Sequence, residues 1–169
     1  MTTSIRQAVP RDGEAIAALW HRGWRDGHLG HVPAALLPHR QAADFRARVP
    51  AQIPFTAVAA AGAEVIGFVT VRGDEVEQLY VAAPARGTGT AAALLSHGER
   101  VVAATHGRAW LAVAGGNARA RRFYERRGWS DAGPVDYAAA TAGGEAVLVP
   151  CRRYEKAVAR VALIDGRAS

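Results

Sequence analysis

A single cysteine, Cys151, leaves no partner for an internal disulfide and no second thiolate for a metal cluster. That scarcity fits a reducing compartment. No run of about 18 apolar residues marks a membrane span, and Met1-Thr2-Thr3-Ser4-Ile5-Arg6 lacks the basic-then-apolar layout of a signal peptide. The expectation is a cytoplasmic protein without a membrane partner. Lysine is nearly absent too: Lys156 is the only one among 21 basic side chains. A nucleoside triphosphate loop, which needs Gly-Lys-Ser/Thr, is thereby excluded. His21, His28 and His31 lie close in sequence, but no third ligand stands at helpful spacing, so no metal is expected.

What is present is a chain of 169 residues, 50% hydrophobic, enough for one core and short for two. A single domain over 1–156 is expected, with 157–169 as a loose tail. The net charge of +6 raises the question of nucleic acid. Arginines are scattered through every segment, with one dense group at Arg119, Arg121, Arg122, Arg126 and Arg127. Arg- and Ala-heavy usage also arises from a GC-rich genome. A basic nucleic-acid-associated protein therefore stays as an alternative, and no specific nucleic acid is expected.

Hydrophobic periodicity divides the chain into a mixed α/β order. Ser4–Val9 alternates as a first strand; Asp12 is placed to cap a helix over Glu14 to about Arg25. Pro33 suits the start of a second helix, about Ala34 to Arg48, which Pro38 kinks or splits. Phe55–Ala60, Glu64–Val71 and Glu75–Val81 read as consecutive antiparallel strands joined by glycine turns. A helix to about Thr105, a buried strand Arg108–Val113, and a helix from Asn117 to Arg127 ended by Gly128 follow. Two closing strands start at Trp129 and Glu145.

The informative stretch lies between the third of those antiparallel strands and its helix: Arg86-Gly87-Thr88-Gly89-Thr90-Ala91. Glycines there weaken local packing, so something must approach the backbone closely. The unpaired N–H groups and positive dipole end of a helix start make such a loop an anion site, most often for phosphate. Gly87-Thr88-Gly89-Thr90-Ala91-Ala92 formally matches the dinucleotide pattern, yet hairpins precede it and Ala114-Gly115-Gly116-Asn117 offers no acid for a ribose.

A second pattern sits downstream. Leu79-Tyr80-Val81-x-x-Pro84-x-Arg86-Gly87-Thr88-Gly89-Thr90-Ala91, followed by Asn117-x-x-Ala120-x-x-Phe123-Tyr124-Glu125-x-x-Gly128-Trp129, resembles the acetyl-CoA signature of the GNAT superfamily of N-acetyltransferases. The likeness is specific over about Glu64 to Trp129. Ala91 stands where many relatives have Gly, and Thr90 replaces a more usual aliphatic; both remain small enough for a pyrophosphate to reach backbone.

The resemblance implies a GNAT-like α/β fold: a mixed, mostly antiparallel sheet of about seven strands, helices on both faces, splayed between its two central strands. It implies acetyl-CoA as co-substrate, with backbone from Gly87 to Ala91 on the pyrophosphate, Arg86 adding charge, and Leu79, Tyr80 and Val81 pairing with pantetheine through main chain. Asn117 would touch pantetheine while capping its helix. Tyr124 falls where relatives hold the thioester sulfur, as general acid toward the departing thiolate. In this family the first two helices line the acceptor pocket, which nominates Trp24 and His28.

An alkylammonium must lose a proton before it attacks a carbonyl, so a base is needed. Glu75 and Glu77 share parity with Leu79 and Val81 on the strand that would carry the acetyl group, and Glu77 is the favoured base, acting through water. The reading is thus an acyltransferase moving acetyl directly to a primary amine, small molecule or peptide. A non-catalytic CoA sensor is the other alternative. Closing strands often dimerise in this family, which leaves a homodimer open.

Overall fold

The structure, a computed structural model, describes residues 2–159. Strand β1 (Thr3–Gln7) leads through a 3₁₀ turn into helix α1 (Gly13–His28), a 3₁₀ segment Ala34–His39 and helix α2 (Ala42–Gln52). Strands β2 (Thr56–Ala61), β3 (Glu64–Arg72) and β4 (Glu75–Val81) follow, then α3 (Thr90–Ala103), β5 (Arg108–Ala114), α4 (Ala118–Arg126), β6 (Ser130–Ala140) and β7 (Ala146–Ala157). The seven strands form one sheet in the order β1-β2-β3-β4-β5-β7-β6, antiparallel at every neighbour except β4 and β5.

Each face of the sheet carries its own apolar cluster. Helices α1 and α2 press Ile16, Trp20, Trp24, Phe45 and Val49 onto Val58 and Phe68. On the other face α3 presses Leu94, Leu95 and Val102 onto Val69, Val76 and Leu111. Burying each such side chain contributes about 1.5–3 kcal/mol, so neither face is dispensable. Gly98 lets α3 approach β3, where an added Cβ would sit 3.3 Å from the Val69 and Val71 methyls.

Several local expectations are corrected. Asp12 does not cap α1 with its side chain; it accepts from Arg6 at 2.7 and 2.9 Å and from the Val9 N–H at 2.9 Å. That bidentate pair is buried on the Asp12 side, and it leaves the carboxylate no freedom to reach the helix start. The second helix is split at Pro38, as expected, into a 3₁₀ segment and an α-helix that begins at Ala42; its far bound moves from Arg48 to Gln52. Helix α1 runs on to His28, so this residue is the last turn of a helix rather than part of a loop. Strand β7 reaches Ala157, one residue into the expected tail; the remainder of that tail, from 160, lies outside the described residues.

The parity argument for Glu75 and Glu77 also fails, for an identifiable reason. Register between β3 and β4 steps from Thr70 opposite Gln78 to Val71 opposite Val76, leaving Glu77 as the extra residue of a bulge. Beyond the bulge the alternation is inverted. Leu79 and Val81 pack with the α3 cluster, whereas Glu75, Glu77, Gln78 and Tyr80 line a cavity on the α1 and α2 side.

Candidate functional site

Between β4 and β5 the sheet opens. The only paired residues are Glu75 and Trp110, supported by the Trp110 N–H donating to the Asp74 carbonyl at 3.0 Å. Past that point, among the described residues, the β5-facing edge of β4 has no strand paired with it, as two parallel strands that diverge leave backbone groups unmatched. The edge runs through Leu79, Tyr80 and Val81 to the glycine loop, and a cavity of about 400 Å³ occupies the cleft.

The loop is shaped to expose N–H groups. Gly87 and Gly89 have φ of 77° and 88°, in the left-handed region that favours glycine, and nothing lies within 4 Å of a Cβ added at either. Among the described residues no backbone N–H from Gly87 to Ala92 donates to a backbone carbonyl. The Thr88 hydroxyl instead donates to the Ala85 carbonyl at 2.6 Å and lies 2.8 Å from the Thr90 hydroxyl, which pins the loop from below. A run of unpaired donors at the start of α3 fits a pyrophosphate. Arg86 lines the same cavity, but Asp26 of α1 holds its guanidinium at 2.6 Å.

Helix α4 forms the opposite wall. Asn117 caps it, its Oδ1 accepting from the Ala120 N–H at 3.2 Å, and the amide end turns to α1, where a Cβ on Gly27 would come within 2.9 Å of Nδ2. Tyr124 lines the cavity while packing edge-on against Phe123 and Trp129. Burial pushes its phenol well above the ordinary value, and among the described residues its hydroxyl has no hydrogen-bond partner. Three arginines of the dense basic group, Arg119, Arg126 and Arg127, line this cavity too. Arg121 is taken up structurally by the Tyr154 hydroxyl and the Gly115 carbonyl at 3.1 and 3.2 Å. The sequence signal for those cavity arginines was the cluster itself, once a phosphate site was placed beside it.

A second cavity, of about 500 Å³, lies on the α1 and α2 side, and His28 and Tyr80 line both. Trp24 is buried and stacks on His28 at 5.1 Å with rings nearly parallel, so this tryptophan belongs to core and cavity wall together. His28 Nδ1 donates to the Trp24 carbonyl at 3.0 Å, which leaves Nε2 as the free ring nitrogen, and burial lowers its pKa. It is therefore neutral at physiological pH. Tyr80 divides the two spaces: its ring packs on Phe68, and a Cβ on Gly23 would overlap it. That role for its side chain had no signal in the sequence, which assigned only its main chain.

Polar groups converge in this second cavity. Glu77 is paired with Arg72 at 3.4 Å. Glu75 accepts from the Tyr137 hydroxyl at 3.0 Å, and burial raises its pKa despite that bond. Gln78 Oε1 is buried without a partner among the described residues. Arg40 and Arg48 complete the wall. Cys151 lies there as well, its thiol pushed up to about 11 by burial, so it is protonated and unreactive at neutral pH. Among the described residues no three His, Cys, Asp or Glu side chains are grouped to hold a metal, and no helix is long and apolar enough to cross a membrane.

A family model described as Acetyltransferase (GNAT) family matches residues 13–129. Comparison with curated proteins gave no significant match. Among solved structures, a GCN5-related N-acetyltransferase from Rhodopseudomonas palustris superposes with a TM-score of 0.71 at 19% identity, over 94% of this chain and 97% of its own. PaiA N-acetyltransferase from Thermoplasma acidophilum, in complex with coenzyme A, gives 0.66 at 16% identity over 93% and 99%. Ribosomal-protein-alanine N-acetyltransferase from Brucella melitensis gives 0.67 at 16% identity over 92% and 99%. The chain belongs to the GNAT acetyltransferase family, and the seven-stranded sheet with its central splay is the fold of that family.

Proposed function

From membership of that family, we propose that the protein is an N-acetyltransferase that moves acetyl from acetyl-CoA directly to a primary amine. The observation that carries this reading is the bare β5-facing edge of β4 at Leu79 to Val81 together with the unpaired N–H groups of Gly87 to Ala92 at the start of α3, opening at Tyr80 onto a second, polar cavity. Acetyl-CoA supplies an activated acyl group on a thiolate leaving group. The N–H groups of Gly87 to Ala92 would hold its pyrophosphate, Arg119 and Arg126 would meet its remaining phosphate, and Leu79 to Val81 would pair with its amide arm.

The acceptor enters from the α1 and α2 side, walled by Trp24 and His28. Glu77 takes the ammonium proton through water, because the bulge brings this carboxylate onto the acceptor side of β4. Glu75 is the second candidate base: its raised pKa makes it the better proton acceptor, whereas Glu77 is engaged by Arg72 in an ion pair. Tyr124 meets the departing thiolate with its hydroxyl. A phenol in water titrates near 10 and a thiol near 8.5, so full proton transfer is uphill there. In a dry cleft desolvation raises both, which preserves a short hydrogen bond to developing sulfur charge.

Thiol release from acetyl-CoA across an amine panel tests the reaction, with CoA calorimetry run in parallel. Acceptor-dependent release is expected. Tight CoA binding with no release for any amine would favour a CoA sensor.

A further inference from the structure

The acceptor cavity holds more positive charge than its own carboxylates use. Arg72 is matched by Glu77, and Glu75 is engaged by the Tyr137 hydroxyl. Arg40 and Arg48 are left over. Arg40 is 5% exposed, and its Nη1 donates to the His39 and Ala140 carbonyls at 2.8 and 2.9 Å. Among the described residues its Nε and Nη2 have no acceptor. Arg48 lies over Trp20, its guanidinium carbon 4.6 Å from the ring centroid, and among the described residues it makes neither hydrogen bond nor ion pair. Asp44, the nearest acid on α2, accepts instead from the Gln41 N–H at 2.7 Å.

A partly desolvated guanidinium whose free N–H groups face a cavity favours an anionic acceptor, and two in one cavity repel each other. Both titrate below the ordinary arginine range, from burial first and from each other second in the case of Arg40. With Glu75 and Glu77 ionised, the three arginines leave this space net positive, and with Glu75 protonated more so. A simple polyamine would enter against that charge. A zwitterion would not. The opposite wall presents complementary groups, Glu75, Glu77 and the orphaned Gln78 Oε1, all acceptors suited to an ammonium.

We propose that the acceptor is an amino acid, whose carboxylate is held by Arg40 and Arg48 while its amine lies toward Glu77 and Gln78 on β4. This rests on the acetyltransferase reading above and narrows it to a substrate class. Planar guanidinium forks match a carboxylate in two parallel hydrogen bonds. Trp20, Trp24, Leu36 and Val149 wall the rest of the cavity, which favours an apolar or aromatic side chain.

Calorimetry without acetyl-CoA reads the anion site independently of turnover, using the twenty L-amino acids and, for each one bound, its carboxamide, its decarboxylated amine and its 1-aminoalkylphosphonate. At least one amino acid is expected to bind about 10–100-fold more tightly than its carboxamide and amine, with the phosphonate weaker. Arg48→Gln, checked for native circular dichroism, should erase that preference by raising KM with kcat less affected. Arg40→Gln is the less clean variant, since Arg40 also ties the end of β6 to the 3₁₀ segment. Selective binding of an acid without thiol release would keep the anion site and sink the acetyltransferase reading. Acetylation of amides or plain amines as efficiently as acids, phosphonate preference, binding by no acid, or an acid-to-amide ratio unchanged in Arg48→Gln would each overturn the proposal.

Discussion

On the α3 side of β4 the protein offers a ligand its backbone, and on the α1 side it offers side chains. The cofactor cavity is made from a bare strand edge, two left-handed glycines and the unpaired start of a helix. The acceptor cavity is made from arginines, glutamates and tryptophans delivered by α1, α2, β3 and β4, with β6 and β7 closing it. Backbone recognises a chemical group common to every member of a family, and it can do so with many sequences provided glycine stands where φ demands it. Side chains recognise a particular acceptor. The bulge at Glu77 is the hinge of this division, because it places one strand's carboxylates in the α1-side cavity while the edge of the same strand borders the other.

The largest expected effect breaks the division from the cofactor side. Tyr124 is the side chain proposed to act in the cavity where backbone is proposed to hold the cofactor. Tyr124→Phe keeps the contacts with Phe123, Trp129 and Tyr154 and removes the hydroxyl. Steady-state kinetics should show kcat down by about 10²-fold, with CoA affinity by calorimetry nearly unchanged. Full kcat in this variant would reduce Tyr124 to a packed aromatic.

The next effect tests whether backbone conformation does the binding. Gly89→Val must adopt φ near 88° with a β-branched side chain, a strain of about 1–3 kcal/mol, or else move the N–H groups out of register. CoA affinity should fall about 10–100-fold. Thr88→Ala, which removes a hydroxyl bound only to Ala85 and Thr90, should lose far less. Equal losses in the two variants would mean that the threonine side chains contact the ligand.

On the acceptor side, Glu77→Gln should lower kcat/KM about 10-fold at neutral pH and recover as pH rises and more of the amine is free. Tyr124→Phe should show no such recovery. If Glu75→Gln gives the recovering profile and Glu77→Gln does not, the base is Glu75.

The same asymmetry decides what could be read from the sequence. The glycine loop was legible because a backbone site leaves a local signature of small residues at fixed spacing, and Asn117 and Tyr124 entered only through the motif that resembles the family's. The order of strands and helices followed from periodicity, and the splay from the family likeness. The acceptor wall was only half legible. Trp24 and His28 lie on one helix, but Arg40, Arg48, Tyr137 and Gln78 meet only after the chain folds, and nothing local marks them. The bulge was invisible because one extra residue in a strand changes no composition, yet it reversed the face assigned to Glu75 and Glu77. Asp12 misled in the opposite way: a good capping residue found a stronger partner in Arg6.

The smallest predicted effect concerns stability and follows from Glu75. Burial, the dominant influence, raises its pKa, and the Tyr137 hydrogen bond only partly offsets this. A raised value means that the folded protein holds the proton more tightly than the unfolded chain. The associated stability is fully present below the unfolded carboxylate range, about pH 4, and is lost as pH rises through the folded value. Glu75→Gln keeps an oxygen for the Tyr137 hydroxyl and removes the charge. Its melting temperature should match that of the wild type near pH 4 and exceed it by about 1–2 °C at pH 8. A wild type more stable than the variant at pH 8 would show that ionised Glu75 gains more from Tyr137 and nearby Arg153 than burial takes away. The predicted direction instead makes Glu75 a carboxylate retained at the expense of stability, as expected for a group that serves the acceptor rather than the fold.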